Sequence, residues 1–310
     1  MNRPAHEINA GDRPAKDTPL RFITAASLFD GHDAAINIMR RLIQAQGCEV
    51  IHLGHNRGVL DIVRAAIQED ADAIAVSSYQ GGHNEYFRFM IDQLRERGAG
   101  HIQVFGGGGG TITLEEISEL EAYGVNRIYH PDDGMGLGLV EMISDVVQRA
   151  GAERHGFAFP AQIRKDNASD IAQTLTALEA GVYGEAELKM KRLEWAGGEK
   201  QAPVIGITGT GGSGKSSVTD EILNRMLANF PDKRIAILAV DPTRRRTGGA
   251  LLGDRIRMNS LRSERIYMRS MATRRQHLAT SAMLHDAIHF LKSAGFDLVI
   301  VETAGIGQSD

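Results

Sequence analysis

From Arg21 onward, short runs of branched and apolar residues alternate with longer segments in which apolar positions recur every three to four residues. The short runs, Phe22–Leu28, Val50–Leu53, Ala73–Ser77, Ile102–Phe105 and Arg127–Tyr129, predict strands. The longer segments, Ala34–Gln46, Val59–Glu69, Asn84–Arg97, Leu114–Ala122 and Gly136–Arg149, predict helices with one apolar face. The alternation stops after Ala150. Between Gly151 and Gly198 no strand pattern occurs, and Ser169–Glu179 and Glu185–Trp195 predict amphipathic helices. It resumes at Ala202, with strands at Val204–Thr208, Arg234–Val240 and Leu298–Val301 and a helix over Ser217–Phe230.

Strict strand–helix alternation implies a parallel sheet covered by helices on both faces. Five strands with five helices is the count of a flavodoxin-like (Rossmann-like) α/β domain, here over residues 21–150. Residues 151–201 carry Leu, Ile and the only tryptophan, so they predict a helical connector packed between domains. A second α/β unit with a P-loop follows over residues 202–310, and two sheets imply two separate sites. The first twenty residues, polar and containing Pro4 and Pro14, predict a flexible tail.

At 310 residues the chain has room for two domains, and 42% apolar with 24% charged residues suits a soluble globular protein. A net charge of -4 argues against a general nucleic-acid binder. Cys48 is the only cysteine, which rules out an internal disulfide and fits a reducing cytoplasm; it predicts a small core residue beside its strand. No signal-like or membrane-length apolar run occurs, so no membrane partner is expected.

The segment Gly209-Thr-Gly-Gly-Ser-Gly-Lys215-Ser216 matches the P-loop at every specified position, between a predicted strand and a predicted helix. Backbone N–H groups around Gly211, Gly212, Ser213 and Gly214 would cradle phosphate oxygens, with Ser217 opening the helix behind them. Lys215 would reach the terminal phosphates, and the Ser216 hydroxyl would ligate Mg²⁺. Asp241 and Glu302 end neighbouring strands, and Asp254 lies beyond the first. Carboxylates at such strand ends hold Mg²⁺ directly or through water; singly, each could equally be a strand ending on a polar residue. The arginines Arg244–Arg246, Arg262, Arg265, Arg269, Arg274 and Arg275 lack interleaved aromatics, so a solvated or anion-facing role outweighs RNA binding.

In the first domain, Asp30-Gly31-His32-Asp33 follows the first strand, at the edge where such sheets bind ligands. Alone, Asp-x-His is a common helix cap with a solvated histidine. However, Ser77, Tyr79 and Gly81 follow the third strand, and Gly106, Gly107, Gly108 and Gly109 follow the fourth. Small residues at three strand ends predict a wide trough for a large flat ligand and its tail. This set resembles the cobalamin-binding domain of methylmalonyl-CoA mutase and its relatives. The resemblance implies that His32 ligates cobalt in place of the cofactor's own base, with Asp30 on its other ring nitrogen. It also implies that Ser77 meets the buried tail and that the glycines line its channel. Ala35 stands where the family pattern has glycine, and Tyr79 where it has leucine.

Residues 202–310 resemble the accessory GTPases that service methylmalonyl-CoA mutase. That resemblance puts Asp241, Asp254 and Glu302 with Ser216 in the Mg²⁺ shell and Arg257 near the phosphates. The guanine-reading Asn-Lys-x-Asp pattern is absent; in that family it lies beyond the loop at Gly305. A cobalamin domain followed by its own GTPase resembles the N-terminal part of the fused isobutyryl-CoA mutases. The implied activity is adenosylcobalamin-dependent isomerisation of isobutyryl-CoA to n-butyryl-CoA in a homodimer, on a barrel domain this chain does not contain. The GTPase, binding GTP and Mg²⁺ with Lys215 as its catalytic group, would act as a chaperone that gates cofactor loading. Two other readings stay open: a stand-alone cobalamin-responsive GTPase without mutase activity, and an ATP-dependent corrinoid transferase.

Overall fold

The structure is a computed structural model that describes residues 18–157, 160, 163–198, 202–241, 249–252, 254–272 and 277–303. Its first unit is built from β1 (Arg21–Ser27), α1 (Asp33–Ala45), β2 (Glu49–Arg57), α2 (Val59–Gln68), β3 (Ala73–Ser77), α3 (His83–Glu96), β4 (Gln103–Gly107), α4 (Leu114–Tyr123) and β5 (Arg127–Tyr129). The predicted last helix is two, α5 (Pro131–Leu137) and α6 (Leu139–Ala152), broken where Gly138 adopts φ 85°. Strands β2-β1-β3-β4-β5 lie in that order and all pair in parallel, which is the flavodoxin-like order. Branched residues such as Ile23, Ile74 and Val104 are fully buried, because helices cover both sheet faces. Cys48 is buried as expected, and burial pushes its thiol up to about 12.

The connector helices α7 (Ala168–Ala180) and α8 (Glu185–Gly198) share one core with the second unit. Within it Trp195 sits 5.5 Å from Phe290, ring centroid to centroid. The second unit contains β6 (Val204–Ile207), α9 (Lys215–Asn229), β7 (Ile235–Asp241), β8 (Ala250–Leu252), β9 (Ile266–Ala272), α10 (His277–Ser293) and β10 (Leu298–Glu302). Four strands form a parallel sheet in the order β6-β10-β7-β9. The sequence suggests a buried β6, yet Val204 is 45% exposed, because β6 is the outer strand among the described residues.

The two sheets are not independent, contrary to the expectation from sequence. β8 leaves its own unit and pairs in parallel with β2, Glu49 opposite Ala250 and Ile51 opposite Leu252, as the sixth strand of the first sheet. Gly249 enters that strand so close to the α1–β2 turn that a Cβ would lie 2.3 Å from the Gln44 carbonyl oxygen. On β2, a Cβ on Gly54 would meet Ile256 at 2.7 Å, and Arg57 donates to the Ile256 carbonyl at 3.2 Å.

A second seam joins the outer edge of β9 to the first unit. Gln68 donates to the Ile266 carbonyl and accepts from the Met268 N–H, while Arg255 donates to the Met268 carbonyl. Glu69 accepts from the Ser270 N–H, and Arg21 donates to the Ser270 carbonyl. Side chains thus satisfy alternate backbone groups that a neighbouring strand would otherwise pair, which blunts the edge. The same residues form a buried charge cluster. Arg21 bonds Glu49 at 2.7 Å and Glu69 at 3.3 Å, Arg255 bonds Glu69 at 2.8 Å, and Arg269 pairs with Glu179. Burial alone would lower the pKa of Arg21, but Glu179, Glu49 and Glu69 more than offset it and the net shift is upward. Of the solvated and anion-facing roles that the sequence leaves open for Arg269, the structure shows the second: it is 1% exposed and faces the Glu179 carboxylate. Deleting one member strands its partner's charge in the interior, a loss of about 3–5 kcal/mol.

Candidate functional sites

The first site lies where the order of the first sheet reverses, between β1 and β3. Asp30 is buried in the turn after β1 and organises three donors. Its Oδ1 accepts from the His32 backbone N–H at 2.8 Å and lies 3.0 Å from His32 Nδ1; its Oδ2 accepts from the Tyr79 N–H at 2.9 Å. With Nδ1 engaged, the imidazole presents Nε2 outward, and its side chain is 71% exposed. The preceding Phe29 has φ 65°, and its N–H donates to Asn56.

Beside this histidine opens an apolar cavity of about 190 Å³ between the sheet, α1 and α6. Ile36, Met39, Phe105, Met142 and Val146 line it, with Ser77, Tyr79 and Gly106 to Gly109. The Ser77 hydroxyl is buried in this wall and has no hydrogen-bond partner among the described residues. An apolar cavity of about 150 Å³ accommodates benzene, so this one suits a somewhat larger flat aromatic, and Ser77 suits one carrying a polar atom. The resemblance assigned cobalamin's displaced base to this space, and the residues present fit that group.

The glycines have a partly different reason from the one expected. Gly106 and Gly107 lie within β4 rather than after it. A Cβ at Gly106 would be 2.5 Å from the Phe87 ring, and one at Gly108 would be 2.1 Å from the Ser78 carbonyl oxygen. Protein packing alone demands glycine at both positions. Gly31 and Gly81 are exposed in the loops around His32 and Tyr79. Asp33 opens α1; its side chain lies outside the described residues. Behind the loop after β3, Glu116 lies 3.2 Å from His83. The N–H and hydroxyl of Thr113 hold the Glu116 carboxyl down at about 2, so it stays anionic there. The sequence reading missed Tyr129, His130 and Pro131, which also line the cavity. Their place at the carboxyl end of the fifth strand was the available signal.

The second site is the P-loop between β6 and α9. Gly209, Gly212 and Gly214 all take positive φ (148°, 79° and 87°), which a side chain would strain. Lys215 Nζ donates to the carbonyls of Gly209 and Thr210 at 3.2 Å, so the ammonium lies over the loop. Gly211, Gly212, Ser213 and Ser217 are exposed around it. Ser216 Oγ donates to Glu302 Oε1 at 2.8 Å, and Thr219, unremarked in the sequence, donates to Glu302 Oε2 at 3.1 Å. Glu302 pairs with Ile207 just before the loop, so the strand order brings carboxylate and hydroxyl together. This all-oxygen pair suits Mg²⁺. Asp241 ends β7, next to β10 in the sheet. Asp254 and Arg257 bound a 3₁₀ turn, but their side chains lie outside the described residues, as do residues 242–248 and 304–310 entirely. Among the described residues no three His, Cys, Asp or Glu side chains cluster to hold a metal, and no helix is long and apolar enough to cross a membrane.

Comparison with known families finds one match over each of the two units. Residues 20–134 match the B12 binding domain, and residues 171–310 match the methylmalonyl-CoA mutase-associated GTPase MeaB. A fused isobutyryl-CoA mutase of Geobacillus kaustophilus is 53% identical over 307 residues, covering 94% of this chain and 27% of that protein. One from Cupriavidus metallidurans is 56% identical over 295 residues, with the same two coverages. A methylmalonic aciduria type A homolog, mitochondrial, from Caenorhabditis briggsae is 41% identical over 107 residues, 34% of this chain and 26% of that protein. The chain thus spans about a quarter of the length of the fused relatives it matches.

Proposed function

The chain belongs to the fused isobutyryl-CoA mutases, as the portion carrying their B12-binding and GTPase domains, and from that premise we propose that it serves adenosylcobalamin-dependent conversion of isobutyryl-CoA to n-butyryl-CoA. The acyl-CoA binds on a mutase domain outside this chain, in a cytoplasmic homodimer. Adenosylcobalamin supplies the radical chemistry; the protein supplies binding, orientation and electrostatics. His32 would hold the cobalt through Nε2, with Asp30 fixing the ring through Nδ1. Ser77 would bond the buried tail in the apolar cavity, along the wall to which Gly106 to Gly109 contribute. In the second site the P-loop holds GTP, Lys215 neutralises the terminal phosphates, and Ser216 with Asp241, Asp254 and Glu302 provides the Mg²⁺ shell, with Arg257 by the phosphates.

The GTPase acts as a chaperone that gates cofactor loading. The observation that carries this reading is β8. It lies in the segment between the predicted Mg²⁺ ligands Asp241 and Asp254, and it is hydrogen-bonded into the sheet that presents His32. A change in that segment with nucleotide state reaches β2 and the α1–β2 turn directly. To test the function, full-length protein is incubated with isobutyryl-CoA and adenosylcobalamin and the products are separated by chromatography. The expected product is n-butyryl-CoA, formed only with the cofactor. Cobalamin binding and GTP hydrolysis without any n-butyryl-CoA would make the protein a regulator instead.

A further inference from the structure

We propose that Tyr79 is a positioning residue for His32, acting through the face of its ring; this rests on the cobalamin reading above. His32 projects from the surface, and among the described residues only one of its ring nitrogens is tied down, by Asp30. One hydrogen bond leaves an exposed imidazole free to pivot about it. The Tyr79 ring removes that freedom: its centroid lies 5.2 Å from that of the imidazole, at an interplanar angle of 39°. The phenol is itself fixed from two sides. The Tyr79 N–H donates to the Asp30 carboxylate that holds His32, so both residues hang from one buried anion. Its ring edge lies against Gly109, whose φ is +56° and where a Cβ would be 2.6 Å from Tyr79 Cε1. Gly109 is thus the seat of the tyrosine ring as well as part of the cavity wall.

The arrangement has two consequences. The imidazole plane is set before cobalt arrives, which removes an ordering step from ligation. Tyr79 also lines the cavity, so one residue holds the ligand and borders the space for the base that His32 would displace. A leucine at this position would supply bulk but no ring face. The contact therefore depends on the aromatic ring, and nothing in the geometry requires the phenol hydroxyl.

The test compares wild type, Tyr79→Leu and Tyr79→Phe in the full-length protein with two probes. EPR of bound cob(II)alamin reports the fraction carrying protein imidazole nitrogen coupling. Stopped-flow absorbance reports adenosylcobalamin dissociation. Tyr79→Leu keeps the apolar volume, so the fold is retained. It is expected to broaden or reduce the imidazole-coupled signal and to raise the dissociation rate by about 2- to 10-fold, the weight of one aromatic contact. Tyr79→Phe is expected to match wild type in both. Equal spectra and rates for Tyr79→Leu and wild type, with wild type imidazole-coupled, would overturn the role of Tyr79 alone. A Tyr79→Phe variant as defective as Tyr79→Leu would overturn the ring-face mechanism. Wild type lacking imidazole coupling would instead refute the cobalamin ligand assignment beneath it.

Discussion

Replacing Lys215 by alanine in the full-length protein is expected to lower GTP hydrolysis by at least about 100-fold, the scale of losing one preorganised charged donor. The reason is local. Around the loop, Ser213, Ser216 and Ser217 offer only neutral hydroxyls, and Ser216 is committed to Glu302 at 2.8 Å. Lys215 Nζ, held 3.2 Å from the carbonyls of Gly209 and Thr210, is the one cation in the motif that can follow charge onto the terminal phosphates. Phosphate release with saturating GTP is the readout, with ATP as the specificity control. Cobalamin affinity measured without nucleotide should not change, because Lys215 makes no contact with the first sheet. A variant that retains its rate, or a wild type that hydrolyses ATP as fast as GTP, would defeat the GTPase assignment.

His32→Ala is expected to weaken cobalamin binding by about 100-fold or more. Mutating groups that merely orient a metal ligand already costs about 10–100-fold, so removing the ligand should cost at least as much. Asp30→Asn should fall in that lower range, since it keeps the shape and the Tyr79 N–H contact while weakening the hold on Nδ1. In wild type the bound cob(II)alamin should show nitrogen coupling from a protein imidazole, and His32→Ala should lose it. Cofactor carrying ¹⁵N in its own base separates the two possible nitrogens. A coupling that changes with that label belongs to the cofactor's base, and the assignment of His32 would then be wrong.

Much of this was legible in the sequence because the chemistry sits at strand ends. Alternation of short apolar runs with period-3.6 segments places His32, Ser77 and the Gly106 run on one sheet edge. The P-loop was legible for the same reason, since its glycines have a backbone task that few other residues perform. What stayed hidden depends on non-local pairing. β8 is three residues, Ala250 to Leu252, in a context rich in glycine and arginine, and nothing local says that its partner lies 201 residues earlier. β9 carries Arg269 and Ser270 amid its apolar residues, which obscures the strand pattern until Glu69 and Glu179 are seen to bury them. The reason for Gly106 and Gly108 was hidden too, because the atoms that exclude a Cβ belong to Phe87, Ile128 and Ser78.

The central claim is that the strand donated across the two units ties nucleotide state to the cobalamin site. Adenosylcobalamin is therefore titrated into full-length protein that is nucleotide-free, GDP-bound, or bound to a non-hydrolysable GTP analogue, and the nucleotide affinity is measured in turn with and without cobalamin. A coupling of about 1–3 kcal/mol is expected, seen as a 5- to 150-fold shift in cobalamin affinity and an equal shift in nucleotide affinity. Indistinguishable cobalamin affinities and release rates in all three states would contradict the account, leaving β8 a structural strand and the GTPase without a part in gating.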